Sequence, residues 1–284
     1  MTPLRQKLLD AVLQRGYSIN TYDSYAVAVR QLIKFYHRPP DQISLCELQP
    51  FFEYLVKERK LAPASCQGYL AGIQFFYEKV MGWPRFEVPL IVPKRPQRIP
   101  ELLTRSEVAN IIGQLSNMKH RTMLQTCYGC GLRLSELASL KVRHIDGERH
   151  LLRVEQGKGA KDRAVIMSEA LLLALRVYWQ SYRPSHWLFE GQRPDRHLTG
   201  AAVQRVFTSA KAKAGIEKIG GIHSLRHAYA THQLEAGMHI HKLQHQLGHR
   251  SVHTTSRYIH WVPNYREESE AGIDLIAALE QVNG

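Results

Sequence analysis

Two arginines, two histidines, a lysine and a tyrosine are the side chains of this 284-residue sequence whose spacing could support chemistry, and four of the six fall between Gly220 and His260. His223 and Arg226 lie three apart at the start of a helical pattern, so both side chains share a face and can converge on one anion. His249 follows in the turn Leu247-Gly248-His249, and Tyr258 comes nine positions later. Upstream, the run Gly131 to Leu137 sets Arg133 at a loop-to-helix junction, and the turn Gly157 to Arg163 sets Lys158 between two strand-like runs. One task suits the set. A phosphodiester attacked by a phenolate gathers extra charge on its non-bridging oxygens, which two guanidiniums and an imidazole can share through charge-assisted hydrogen bonds. The tyrosine supplies the nucleophile, and a lysine that can swing to the phosphate supplies an acid for the departing oxygen.

Each residue alone has a plainer reading. A tyrosine near the C-terminal end usually packs, His223 beside Arg226 could be a structural pair at a helix start, and His249 after a Leu-Gly turn could be a core histidine. Gly157-Lys158-Gly159 is a common kind of basic loop and lacks the longer pattern of a phosphate-cradling P-loop. Glu136 is acidic enough to be a base, but its position favours a structural partner that orients Arg133 or the loop beside it. What chance produces with difficulty is all six in one order.

In identity, order and tight final spacing, Arg133, Lys158, His223, Arg226, His249 and Tyr258 resemble the complete catalytic set of the tyrosine recombinase, or phage integrase, family. The resemblance runs over nearly the whole chain and is closest to the compact Xer-type and mobile-element integrases. Integron enzymes carry a long insertion between the lysine and the first histidine to grip folded single strands. No such insertion separates Lys158 from His223, so duplex sites are expected.

The resemblance implies a site-specific recombinase in which Tyr258 forms a 3′-phosphotyrosine and frees a 5′ hydroxyl. Arg133 and Arg226 would hold the non-bridging oxygens and His249 would add a hydrogen bond. His223 would take the tyrosine proton, and Lys158, with Lys161 as its substitute, would protonate the leaving oxygen. Because one ester replaces another and arginines supply the charge, neither ATP, nor a metal, nor any other cofactor is required. The expected partners are double-stranded DNA at specific sites and further copies of the chain, as a synaptic tetramer on DNA.

A formal charge of +13 favours a polyanionic partner, and 44% hydrophobic residues suffice for a proper core. The longest apolar candidate for a membrane span, Ala170 to Trp179, is interrupted by Arg176, and the N-terminus lacks a leader pattern, so a cytoplasmic protein is expected. Cys46, Cys66, Cys127 and Cys130 are too few for a disulfide scaffold. Cys127 and Cys130 have CxxC spacing but no second pair, which favours small buried residues behind the Arg133 loop over a zinc site.

The elements that must position these residues divide the chain into three parts. Residues 1–83 carry four amphipathic patterns. The first follows Thr2-Pro3, the second opens at Asn20, the third starts at Pro50 because proline would break a turn begun at Ser44, and the fourth runs from Pro63 to Gly82. They predict a small helical bundle, the family's core-binding domain. Residues 84–102 form a basic linker: five prolines between Pro84 and Pro100 interleave with Arg85, Lys94, Arg95 and Arg98. Lys94 and Arg95 are expected on the DNA backbone, where they add affinity without sequence information.

Residues 103–284 are expected to form the catalytic domain, mainly α with a small β-hairpin. A capping box at Thr104-Glu107 opens it, strands at His150–Gln156 and Ala164–Met167 flank the lysine turn, and a helix runs from Ser168 to Tyr182. A further helix, Ala201 to Lys213, offers Gln204, Arg205, Thr208 and Lys211 to DNA, and Lys161 and Arg163 in the lysine turn are expected on phosphates. An amphipathic segment from Glu267 to Val282 would dock on a neighbouring protomer.

Other classes compete for the same residues. His241, His245 and His249 are spaced four apart, as metal ligands on one helical face would be, but Gly248 should end that helix and paired arginines repel a cation. A type IB topoisomerase shares the tyrosine chemistry without exchanging strands, and relaxation of plasmids lacking a specific site would reveal it. A DNA-binding module with a dead site would not keep all six residues.

Overall fold

A computed structural model describes residues 2–88, 101–155, 162–193 and 196–262. Lys94 and Arg95, the loop carrying Lys158 and Lys161, and the segment expected to dock on a neighbour lie outside the described residues. The chain divides into two compact units, Met1–Arg98 and Ile99–Gly284.

The first unit is a bundle of four helices, α1 (Pro3–Gln14), α2 (Ile19–Tyr36), α3 (Leu48–Lys57) and α4 (Pro63–Lys79). Its core is Leu8, Val12, Leu32, Phe51, Phe52, Leu55, Ile73 and Phe76, all essentially removed from water. Close packing of α2 on α4 depends on Gly72, where a Cβ would come within 3.0 Å of Ala28 Cβ. Two helix starts differ from expectation. Ser18 caps α2 by accepting from the Thr21 amide, one turn ahead of the side chains that set the apolar period. Pro50 sits inside the first turn of α3, where its missing N–H would have had no helical partner, so the helix begins at Leu48 rather than Pro50.

The second unit holds α5 (Arg105–Gly113), α6 (Met118–Gly129), α7 (Leu134–Ala138), three short strands, α8 (Glu169–Tyr182), α9 (Gly200–Lys213), α10 (His223–Glu235), α11 (Ile240–Leu247) and α12 (Val252–Ser256). The strands β1 (Ile145–Asp146), β2 (Leu151–Val154) and β3 (Arg163–Ile166) form an antiparallel sheet in the order β1-β2-β3, with Leu152 opposite Val165 and Val154 opposite Arg163. The expected hairpin therefore gains a third strand, too short at two residues to show an alternation in sequence. The fold is mainly helical with this one small sheet. Thr104 caps α5 through the anticipated box with Glu107. Leu152, Val154, Val165, Leu172, Leu175, Phe189 and Phe207 lie in the core that joins the sheet to the helices.

Candidate active site

The site grows from two glycine turns. Gly131, at φ 58°, ends the α6 segment in the left-handed conformation and turns the chain into α7, with Arg133 at the cap position. Gly248, at φ 62°, ends α11 the same way and releases His249 from the helix. This separates His249 from the helical run that carries His241 and His245, so the three do not form one helical face. Among the described residues no group of three or more His, Cys, Asp or Glu is placed to hold a metal ion. Cys127 and Cys130 are buried free thiols, and burial pushes both up to about 12.

Glu136 is the hub. Its side chain reaches back to accept from the Arg133 amide at 2.8 Å and from Arg133 Nη1 at 2.7 Å. Arg163 of β3 closes on the same carboxylate with two bonds of 2.8 Å, Nη1 to Oε1 and Nη2 to Oε2. Arg226 Nη1 stands 3.8 Å from Oε2. Burial alone would push the Glu136 carboxyl up, but hydrogen bonds and charge from Arg163 and then Arg133 outweigh it and hold the group near about 2. Three guanidiniums around one carboxylate leave a surplus of two positive charges.

Arg226 is 1% exposed, the largest fully buried side chain described. Its Nη1 donates to the Gly131 carbonyl and its Nη2 to the Leu247 carbonyl, each at 2.6 Å, so both glycine turns are tied to one guanidinium. Arg133 Nη2 adds a bond to the Gly248 carbonyl at 3.1 Å. Burial and Arg133 lower Arg226 to about 10, which leaves it charged at neutral pH.

Arg226 Nη2 also lies 3.0 Å from His249 Nε2. A guanidinium can only donate, so Nε2 accepts, and the imidazole hydrogen falls to Nδ1, which faces Thr255 Oγ1 at 2.9 Å. Burial, then Arg226 and Arg133, lowers His249 to about 3. Its ring is parallel to that of Tyr258, with centroids 6.3 Å apart.

Tyr258 is buried at 4% exposure, just after α12. Its hydroxyl lies 3.0 Å from His227 Nδ1. Burial raises the phenol above its usual value, opposed by the charges of Arg226, Arg257 and Arg133. Trp261 packs edge-on against both the Tyr258 and His227 rings.

Of the six residues read as catalytic, the structure brings Arg133, Arg226, His249 and Tyr258 into one constellation. His223 stands at its edge, its ring 4.8 Å from that of His227. Lys158 lies outside the described residues. The residues read as DNA contacts fare differently. Arg205 is exposed on α9. Lys211 instead donates to the Lys218 and Gly220 carbonyls and pins the loop before α10. Arg163 is the correction. It is buried at 9%, with Nε given to the Gln246 carbonyl at 2.9 Å and one hydrogen of each terminal nitrogen given to Glu136, so its guanidinium is turned into the core and its charge is paired there.

Two participants were missed in the sequence, His227 and Thr255. His227 follows His223 by four, which places the two on one helix face, so the spacing that singled out His223 pointed to it as well. Thr255 gave no signal, because its contact depends on the turn at Gly248.

The described residues of this mainly helical chain gather a tyrosine hydroxyl, the buried Arg226, the half-buried Arg133 and a histidine at one place, an arrangement that can support phosphoryl transfer. The sequence pattern described as the phage integrase family matches residues 100–264, and that described as the phage integrase N-terminal SAM-like domain matches residues 4–85. The chain belongs to the phage integrase family of tyrosine recombinases. Its relatives include an integrase/recombinase assigned by inference in Sinorhizobium fredii, 40% identical over 266 residues that cover 93% of this chain and 86% of the relative. A tyrosine recombinase of Thermosipho africanus is 30% identical and matches over 87% of this chain and 90% of its own. The fold is shared with a lambda integrase dimer bound to a core site, at TM-score 0.69 and 18% identity over 90% of this chain and 75% of that one. It is also shared with a XerH site-specific recombinase in a post-cleavage complex, at TM-score 0.68 and 20% identity over 91% and 81%. Among the described residues no helix is long and apolar enough to cross a membrane.

Proposed function

We propose that this tyrosine recombinase cuts and rejoins duplex DNA at specific sites in the cytoplasm, through a 3′-phosphotyrosine formed by Tyr258 within its own chain. One observation carries the reading: Tyr258 stands with its ring parallel to His249 at 6.3 Å, and His249 meets, at 3.0 Å, Arg226, whose guanidinium shares Glu136 with Arg133. The surplus of two positive charges around Glu136 suits an anion with charge growing on two oxygens. Arg133 and Arg226 hold those oxygens, and His249 adds a hydrogen bond once the phosphate takes over its contact with Arg226 and the ring hydrogen moves to Nε2, with the Thr255 hydroxyl then donating to Nδ1. Lys158, or Lys161 in its place, protonates the 5′ oxygen as it leaves. The bond energy stays in the tyrosyl ester, so no high-energy cofactor enters.

The N-terminal bundle serves as the second DNA-binding unit, and Lys94, Arg95 and Arg205 contribute phosphate contacts. Relatives of known structure are described on DNA, the lambda integrase as a dimer, and synapsis of two sites by four copies is the assembly proposed for this chain. Tyr258→Phe tests the core of the reading. The variant should bind duplex DNA as the unaltered protein does and form no covalent adduct on nicked duplexes. An adduct that persists in the variant removes Tyr258 from the role.

A further inference from the structure

We propose that His227, not His223, is the base that takes the proton of Tyr258 when the tyrosine attacks the phosphate, an inference that rests on Tyr258 being the nucleophile. The two atoms that would exchange the proton are already paired, His227 Nδ1 and the phenol oxygen, at 3.0 Å. The direction of that bond follows from charge. The Arg226 cation favours negative charge on the tyrosine oxygen, so the single hydrogen of the hydroxyl points away from it and toward His227. His227 Nδ1 then accepts, with its own hydrogen on Nε2. The contacts of His223 are of another kind: it meets the His227 ring edge-on at 4.8 Å, one turn back along α10.

The ring is also held as a base must be. Trp261 packs edge-on against it at 5.7 Å and His223 covers another side, which fixes its orientation toward the phenol. The charged and titratable groups that face it are His223 and Arg226 from α10, and Arg257 and Tyr258 from the turn after α12. Burial first, and then His223, Arg226 and Arg257, lower it to about 4, so it is neutral and able to accept at physiological pH. A base that weak accepts poorly while the site is free of DNA. A phosphate placed beside Arg226 offsets the cation that depresses it, so substrate itself makes His227 a better acceptor.

The step balances. The tyrosine O–H bond breaks and an N–H bond forms at His227 Nδ1 as the tyrosine oxygen bonds to phosphorus. The bond from phosphorus to the 5′ oxygen breaks, and that oxygen takes its proton from the lysine. Rejoining runs the same transfers backwards, with the proton returned from His227 to the tyrosine.

The test uses the full chain and a nicked duplex whose sequence is selected from a random library by the unaltered protein's own binding. His227→Asn keeps a side-chain oxygen that can accept from the phenol but cannot carry its proton. The variant should bind the duplex unchanged and form the tyrosyl adduct about 100-fold more slowly or worse. Its rate should climb about tenfold per pH unit between pH 6 and 8, as ionised phenol replaces the base, while the unaltered protein stays nearly flat. A fluorinated tyrosine at position 258, which ionises more readily, should restore most of the lost rate in the variant. Equal rates, or a slow variant with an unchanged pH profile and no rescue, would overturn the proposal and leave His227 a packing residue.

A second measurement needs no DNA. Nitrogen-15 shifts of the free protein should find the His227 hydrogen on Nε2, and a hydrogen on Nδ1 would overturn the assignment. Failure of the unaltered protein to form any adduct is the separate outcome that sinks the phosphotyrosine reading itself.

Discussion

Arg163 shows what one residue can conceal in a sequence. Placed in a basic turn beside Lys158 and Lys161, it reads as a phosphate contact, yet it is buried and bonded in parallel to Glu136. The missed signal was the period of the strand. Arg163 and Val165 point inward while Ala164 and Ile166 point out, so Arg163 belongs to the core face whatever its charge. Arg133, Arg226, His249 and Tyr258 were legible because order and spacing marked them together, whereas His227 and Thr255 matter through contacts that only the folded turns create. Removing one partner of a buried ion pair leaves the other uncompensated, so Arg163→Ala should lower stability by about 3 kcal/mol. Urea unfolding measures that loss. The slope of log affinity against log salt for duplex DNA should stay the same, because the Arg163 guanidinium is buried and paired with Glu136; a slope reduced by about 1 would return it to the DNA.

At the scale of elements, the site depends on turns more than on helices. Helices α4, α5, α8 and α9 could be read from capping residues and apolar periods because those signals are local. The third strand and the start of α3 could not, since β1 has two residues and a proline in a first helical turn looks like a break. The decisive turn is at Gly131. Its carbonyl receives Arg226 Nη1, its backbone sits at φ 58°, and a Cβ there would meet Tyr229 Cδ1 at 2.4 Å. Tyr229 is itself buried, on the same helix as Arg226, so it can withdraw only by shifting α10. Gly131→Ala should therefore cost about 2 kcal/mol or more and displace Arg226 from Arg133. Cleavage should fall by about 100-fold or more even at temperatures where the variant is folded by circular dichroism. A variant as active and as stable as the unaltered chain would mean that the turn tolerates a side chain, and that α10 is not held by it.

For the molecule as a whole, a charge of +13 and a set of neutral, partly desolvated histidines pull on stability by different routes. Every described histidine with a resolved shift is lowered from 6.5: His120, His144, His223, His227, His232 and His249, with His227 at about 4 and His249 at about 3. The sign follows from proton counts. Between pH 6.5 and about 4 the unfolded chain binds protons at His227 and His249 and the folded chain does not, and the other four act in the same direction, so stability is fully present above pH 6.5 and is lost as pH falls. Glu136 extends the loss. Its folded value of about 2 lies below 4.5, so its stabilisation disappears as pH falls from about 4.5 toward 2. The denaturation midpoint should thus drop steadily from pH 7 to pH 5, before any carboxylate titrates. Self-repulsion of a basic chain would also weaken it in acid, but salt screens repulsion between surface charges and hardly affects the cost of charging a buried imidazole. The drop should persist at about 0.5 M salt and shrink in His249→Asn, which removes the most strongly depressed of the six. A midpoint that becomes flat with pH once salt is added would assign the acid sensitivity to net charge instead of to the six histidines.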